Sequence, residues 1–227
     1  DLVGAVAAFD GALQIQPRFA DACCNLGSTY MQMQDLSHAV TAYRKAIQIE
    51  PNNARNHTNL GAAVLRMGRQ HDAAHCFQEA LRLNPHDAPT RSNLILATSY
   101  STSDAEALKL LADEWDQVHG LPLRKYIKGH ANAANPEKRI RVGFVSADFR
   151  LHAAAFWIEP VMANLSHDDF EVYCYSSNAV VDSTTDRFKL FGHHWVEAAA
   201  LDDDALVEKI RGDAIDILVD LSSHTEG

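Results

Sequence analysis

The sequence predicts a chain in two halves, an α-helical solenoid followed by the start of a doubly wound parallel α/β unit. Three observations predict it. Prolines recur 34 residues apart, at Pro17, Pro51 and Pro85. After residue 139, short β-branched and aromatic runs alternate with helix-like stretches. An acid and a histidine, Asp148 and His152, follow the first of those runs. In open parallel sheets, ligands bind in the crevice outside such strand ends.

The balance of the whole chain narrows the function classes. A length of 227 residues allows one or two domains with a sizeable core. The net charge of −10, from 20 basic and 30 acidic residues, argues against nucleic acid or an anionic membrane as partner. No apolar run reaches the roughly 18 residues a spanning helix needs. The start, Asp1-Leu-Val-Gly, has no basic n-region. Cys23, Cys24, Cys76 and Cys174 form no CxxC pair and are expected as small core residues in a reducing, cytoplasmic compartment. The sequence opens inside a repeat and stops just after a strand, so a longer natural chain is expected.

Residues 1–100 hold the repeats. Ala5, Ala39 and Ala73 keep the 34-residue phase, as do Phe9, Tyr43 and Phe77; Ala12, Ala46 and Ala80; and Leu26, Leu60 and Leu94. Gly27 and Gly61 keep it too. This is the tetratricopeptide pattern. Small residues let two antiparallel helices approach, an aromatic fills the gap between repeats, and proline stops each second helix because it has no N–H to donate. The phase predicts a lone second helix over 1–16, full repeats over 18–51 and 52–85, and a third first helix from about Ala88.

Asn25, Asn59 and Asn93 share the phase, each just before the repeat leucine. An amide carries both donors and acceptors. A row of amides on the first helices could therefore grip an extended peptide backbone without reading its sequence. The spacing fits a row of bonds within the solenoid equally well. His71 and His75 share a helix face at zinc-ligand spacing, but the acid between them is Asp72 rather than the Glu of HExxH. Ala73 and Phe77 claim the opposite face for the core, so the pair is expected in solvent rather than in a zinc hydrolase.

Residues 101–139 read as a helical linker. The repeat phase fails after Ser99, with no proline at 119. Ser103-Asp-Ala-Glu106 resembles a capping box. It opens a helix with Leu108, Leu111, Trp115 and Val118 on one stripe, ended by Gly120. Pro122, Gly129, Asn132, Asn135 and Pro136 then give linker composition.

Residues 140–227 alternate strand and helix. Strands are expected at 140–146, 170–176, 194–196 and 215–221, and helices at 153–165, 184–191 and 203–211. Pro160 should kink the first helix or restart it, and Asp202 should cap the third. GxGxxG, GxxxxGK[ST] and GxSxG are all absent. What remains is polar chemistry at strand ends: Asp148 and His152 after the first, and Asp220, Ser222, Ser223, His224 and Thr225 after the fourth. The bland alternative makes His152 a helix cap and His224 a loop residue.

Repeats running into Arg139-Ile-Arg-Val-Gly-Phe-Val-Ser-Ala-Asp-Phe-Arg-Leu-His152 resemble the O-linked N-acetylglucosaminyltransferase family, in its bacterial and SPINDLY-like branch. Phe170-Glu-Val-Tyr-Cys-Tyr175, Asp216-Ile-Leu-Val-Asp-Leu221 and His224-Thr225 extend the match. The resemblance implies a GT-B arrangement of two Rossmann-like lobes. It implies inverting transfer of a sugar from a nucleotide-sugar, UDP-GlcNAc or GDP-fucose, to Ser or Thr hydroxyls of proteins. No cofactor or metal is implied. By position, His152 matches the family's active-site histidine and Asp148 the acid of that motif. His152 and His224 are expected on the donor side. Thr225 is expected on the acceptor side, with Asn25, Asn59 and Asn93 as the ladder holding acceptor peptide in the repeat groove.

Two departures stand out. Many relatives carry histidine before the Ser-Asn-Leu of the repeat, and here the residue is Arg91. The second lobe, which in the family supplies most donor contacts including a lysine facing the diphosphate, is not in this sequence. The fragment itself is therefore expected to be inactive. The rival reading is a protein-binding scaffold whose α/β half does no chemistry.

Overall fold

A computed structural model describes residues 1–221. The chain divides into two units, residues 1–127 and residues 128 onward.

The first unit is built from helix pairs. Helix α1 spans Leu2–Ile15, α2 Ala20–Gln32, α3 Leu36–Ile49, α4 Ala54–Arg66, α5 Gln70–Leu83 and α6 Ala88–Ser99. Helices α1, α3 and α5 each end two residues before the repeat proline, as its missing N–H requires. Ala39, Ala46, Ala73, Ala80 and Phe77 are buried, with Leu60 and Leu94 in the same core. The repeat glycines are spacers. A Cβ on Gly27 would lie 2.6 Å from the Tyr43 ring, and one on Gly61 would lie 2.5 Å from Phe77. The turns between paired helices also repeat, since Gln34 and Gly68 both take left-handed backbone, with φ of 62° and 75°.

Helical packing continues past Ser99, where the 34-residue phase fades. Helix α7, Ala105–Trp115, starts one residue off the phase of α3 and α5. Leu111, in phase with Tyr43 and Phe77, packs against the solenoid core. Trp115 Nε1 donates to Ser92 Oγ of α6 at 3.2 Å. The signal faded because this repeat has Ile95 where the others have glycine and Leu111 where they have an aromatic. The cap also differs from expectation. Asp104, not Ser103, accepts from Glu106 N at 3.0 Å and Ala107 N at 3.2 Å. A carboxylate accepts more strongly than a hydroxyl. Gly120 closes a π turn over Asp116–Gly120, and a 3₁₀ turn, Leu121–Tyr126, follows.

The second unit is a doubly wound parallel sheet. Strands β1 (Ile140–Ser146), β2 (Phe170–Ser176), β3 (His194–Glu197) and β4 (Ile217–Asp220) lie in the order β3-β2-β1-β4, all parallel. Helices α8 (Ala153–Ala163) and α9 (Ser183–Phe191) pack on one face with Phe144, Val172 and Cys174. Helix α10, Asp203–Gly212, covers the other with Tyr173, Tyr175 and Val145. The strand alternation sorts these side chains, since neighbours along a strand point to opposite faces. Burial pushes the Cys174 thiol up to about 12, so it is an inert packing group. Asp202 caps α10 as expected, accepting from Ala205 N at 2.8 Å. Helix α8 neither breaks nor restarts at Pro160.

Asp216 ties the 128–139 segment to this sheet. Its Oδ1 accepts from Asn132 Nδ2 at 2.6 Å and pairs with Lys138, and its Oδ2 accepts from the Arg141 N–H at 3.0 Å. Desolvation raises the carboxyl pKa, but these bonds outweigh it and hold the group at about 2, below its ordinary 3.8. A folded-state pKa below the unfolded one contributes stability above the unfolded value and loses it as pH falls through the folded one. Acid unfolding of the wild type should therefore steepen from 3.8 down to about 2, and Asp216→Asn should lack that component. Identical acid slopes for the two proteins would refute this role.

Candidate functional site

The site begins where the sheet changes direction. From β1 the chain steps to β2 and β3 on one side, then returns as β4 on the other side of β1. The gap outside the carboxyl ends of β1 and β4 is thus a topological switch point, the usual binding crevice of such sheets. Asp220 pairs in register with Val145 there, and Leu221 N donates to Val145 O at 3.0 Å.

The loop after β1 explains the Asp-Phe-x-x-His spacing. Ser146 is buried and its Oγ accepts from Asp148 N at 2.8 Å, turning the chain off the strand. Asp148 points inward and is 4% exposed. Phe149 plugs the loop into the core, with its ring 5.2 Å from that of Phe188 and 5.3 Å from that of Trp195. The chain then surfaces, and His152 becomes the N-cap of α8 in extended backbone, at φ −145° and ψ 160°.

His152 Nδ1 faces two partners. It lies 3.4 Å from Asp148 Oδ2 and 3.3 Å from the Ala154 N–H. One nitrogen cannot serve both. When bare it accepts from Ala154, and when protonated it donates to the Asp148 carboxylate. In the second case Nε2 is left bare and basic. The His152 side chain is 38% exposed. Arg150 Nη2 stands 3.5 Å from Asp148 Oδ1 on the same loop. The geometry therefore gives His152 either the cap bond to Ala154 or the bond to Asp148, according to which partner Nδ1 serves. Among the described residues no group of three His, Cys, Asp or Glu side chains is arranged to hold a metal ion.

The repeat asparagines sit one per first helix, on α2, α4 and α6, next to the buried Leu26, Leu60 and Leu94. Asn25 is exposed, and Asn59 and Asn93 are half-buried. Asn59 Nδ2 donates to Cys24 Sγ at 3.2 Å, so part of its capacity is used between repeats. His57 and Arg91 occupy equivalent places. His57 Nε2 contacts Pro51 O at 2.8 Å, and Arg91 Nη2 donates to Pro85 O at 2.9 Å. Arg91 thus performs the same helix-joining task as the histidine one repeat earlier. His71 and His75 lie exposed on α5. His224 and Thr225 fall outside the described residues.

Sequence reasoning missed Asp182. It forms a capping box at the start of α9, and its Oδ2 also accepts from the Leu151 N–H at 2.7 Å, beside His152. The cap was legible in Asp182 and Thr185, but the bond across 31 residues was not.

Comparison with known proteins agrees with this architecture. The model of glycosyl transferase family 41 matches residues 105–227. Models of the TPR repeat and the tetratricopeptide repeat match 27–68 and 54–87. The probable UDP-N-acetylglucosamine--peptide N-acetylglucosaminyltransferase SPINDLY of Arabidopsis thaliana is 32% identical over 98 residues, covering 41% of this chain and 11% of the relative. The UDP-N-acetylglucosamine--peptide N-acetylglucosaminyltransferase of Caenorhabditis elegans is 29% identical over 139 residues, covering 59% of this chain and 12% of the relative. A solved mutant of the Thermobaculum terrenum O-GlcNAc transferase superposes with a TM-score of 0.82 at 32% identity, over 99% of this chain and 43% of that one. The chain thus spans about a tenth of those curated relatives and under half of that structure.

Proposed function

Because the chain belongs to glycosyl transferase family 41, we propose that it carries the acceptor-binding repeats and the first part of the first catalytic lobe of an inverting protein O-glycosyltransferase. The observation that carries this reading is the Asp148–His152 pair, 3.4 Å apart, at the carboxyl end of β1 beside the sheet's switch point.

The reaction follows from that pair. With Nδ1–H donated to Asp148, His152 Nε2 accepts the proton of a Ser or Thr hydroxyl. The hydroxyl oxygen attacks the anomeric carbon from the face opposite the nucleotide. The bond from that carbon to the diphosphate oxygen breaks, and the diphosphate leaves with the electron pair. Asp148 holds the imidazole in the useful tautomer and offsets the imidazolium charge, as an acid does behind any general-base histidine. UDP-GlcNAc is the preferred donor, because the curated relatives carry that sugar in their names. GDP-fucose is the competitor to test beside it. Free cysteines in both cores suit a reducing, cytoplasmic setting. Among the described residues no helix is long and apolar enough to cross a membrane.

Acceptor protein binds along α2, α4 and α6 through Asn25, Asn59 and Asn93, whose amides pair with peptide backbone. In the full chain, that is, this sequence together with the second catalytic lobe, Asn25/Asn59/Asn93→Ala is expected to raise acceptor KM by about tenfold or more, from lost hydrogen bonds of roughly 0.5–1.5 kcal/mol each. The rate at saturating acceptor should change little, because these bonds form equally before and during reaction. An unchanged KM would remove the asparagines from the acceptor site.

A further inference from the structure

The proton placement on His152 depends on small distances. Nδ1 is 3.4 Å from Asp148 and 3.3 Å from the Ala154 N–H, so a slight shift of the loop decides which partner it serves. Something must therefore fix the backbone just before His152. Asp148 and Phe149 anchor the first part of the loop by burial. Leu151 has no such anchor, since its side chain is left 71% exposed.

We propose that Asp182 is a positioning residue for His152, holding the Leu151 backbone from the N-terminus of α9. The proposal rests on the reading of His152 as the base. Both carboxylate oxygens are committed. Oδ1 caps α9 by accepting from Thr184 N at 2.8 Å and Thr185 N at 3.0 Å. Oδ2 accepts from Leu151 N at 2.7 Å. Thr185 Oγ1 returns a contact to Asp182 N at 3.1 Å, closing the capping box. Helix α9 is a firm base for this grip, with Thr184, Thr185 and Phe188 buried. It is also tied to α8 further along, where Arg187 clamps Glu159 with bonds of 2.6 and 3.1 Å. Helix α8 and its capping histidine are thus held to α9 at two points, and Asp182 is the one beside the site.

Only a carboxylate suits this place. Two sets of N–H donors face it from opposite sides, so each needs its own acceptor oxygen. Asparagine would turn an NH₂ toward one set. Serine would cap α9 with its single oxygen and leave Leu151 unheld.

That difference supplies the test. In the full chain, Asp182→Ser is expected to lower kcat about 10- to 100-fold through misplacement of the base, with acceptor KM nearly unchanged. The imidazole ¹⁵N signals of His152 should shift with it. Thr185→Val is the control, because it weakens the same cap without touching the Leu151 bond. It should lower the melting temperature and leave kcat and the His152 signals as in wild type. Asp182→Asn, which retains one acceptor, replaces the serine variant if that variant does not fold. Wild-type kcat and wild-type His152 signals in the Asp182 variant would overturn the proposal. Equal loss of kcat in Thr185→Val would overturn it too, assigning the effect to α9 stability. If His152→Ala kept full activity, the base reading would fall on its own. The ¹⁵N shifts would then still decide whether Asp182 positions the ring.

Discussion

His152→Ala is expected to slow sugar transfer by about 10²- to 10⁴-fold, the usual contribution of a positioned general base. The loss should fall on kcat and kcat/KM alike, because proton transfer to Nε2 occurs only as the acceptor oxygen attacks. The fold should survive. His152 is half-exposed, and the bond lost is a long one, 3.3 Å to the Ala154 N–H at a helix start. Losing such a cap costs on the order of 1 kcal/mol. A circular dichroism melt close to wild type would accompany the loss of rate. The effect should also be specific to the proton-transfer step, so an acceptor with a more acidic hydroxyl should recover part of the rate.

Phe77→Ala is expected to destabilise the repeat unit by about 3–5 kcal/mol, the cost of emptying a fully buried aromatic site. Phe77 is fully buried, and its ring fills the space that Gly61 leaves open. Collapse around the cavity is limited because the facing residue has no side chain to move into it. Repeat arrays couple each unit mainly to its neighbours. Loss at the α4–α5 pair should therefore melt the flanking helices with it. The reciprocal change is informative. Gly61→Ala places a Cβ 2.5 Å from the same ring and should cost about 1–3 kcal/mol by overpacking. Adding Phe77→Leu should recover part of that loss, imitating the Ile95 and Leu111 combination of the next repeat. Thermal unfolding of the three variants tests the pairing directly. A double variant no more stable than Gly61→Ala would contradict it.

Where side chains answer to local periodicity, the sequence was readable. The prolines, alanines and aromatics of the repeats mark helix ends and contacts by spacing alone, and β1 and β2 fall where their β-branched and aromatic runs lie. The third repeat was not readable because Ile95 and Leu111 stand where the earlier repeats have glycine and an aromatic, and no 34-residue pattern reveals such an exchange. The site was half legible. Asp148 and His152 could be placed at a strand end from order alone. Their mutual distance depends on Phe149 reaching the core and on Asp182 reaching back across 31 residues. Asp216 likewise joins Asn132, Lys138 and Arg141 across 75 residues or more. Those bonds are set by the strand order, in which β4 returns beside β1, and strand order has no signature in a run of residues.

The measurement that bears most directly on the central claim is the mass of a Ser/Thr acceptor peptide after incubation with the full chain and UDP-GlcNAc. The wild type should add one N-acetylhexosamine to the peptide, and His152→Ala, folded to the same degree, should leave it almost unmodified over the same time. Equal modification by the two proteins, or an unmodified peptide with wild type across UDP-GlcNAc and GDP-fucose alike, would contradict the account.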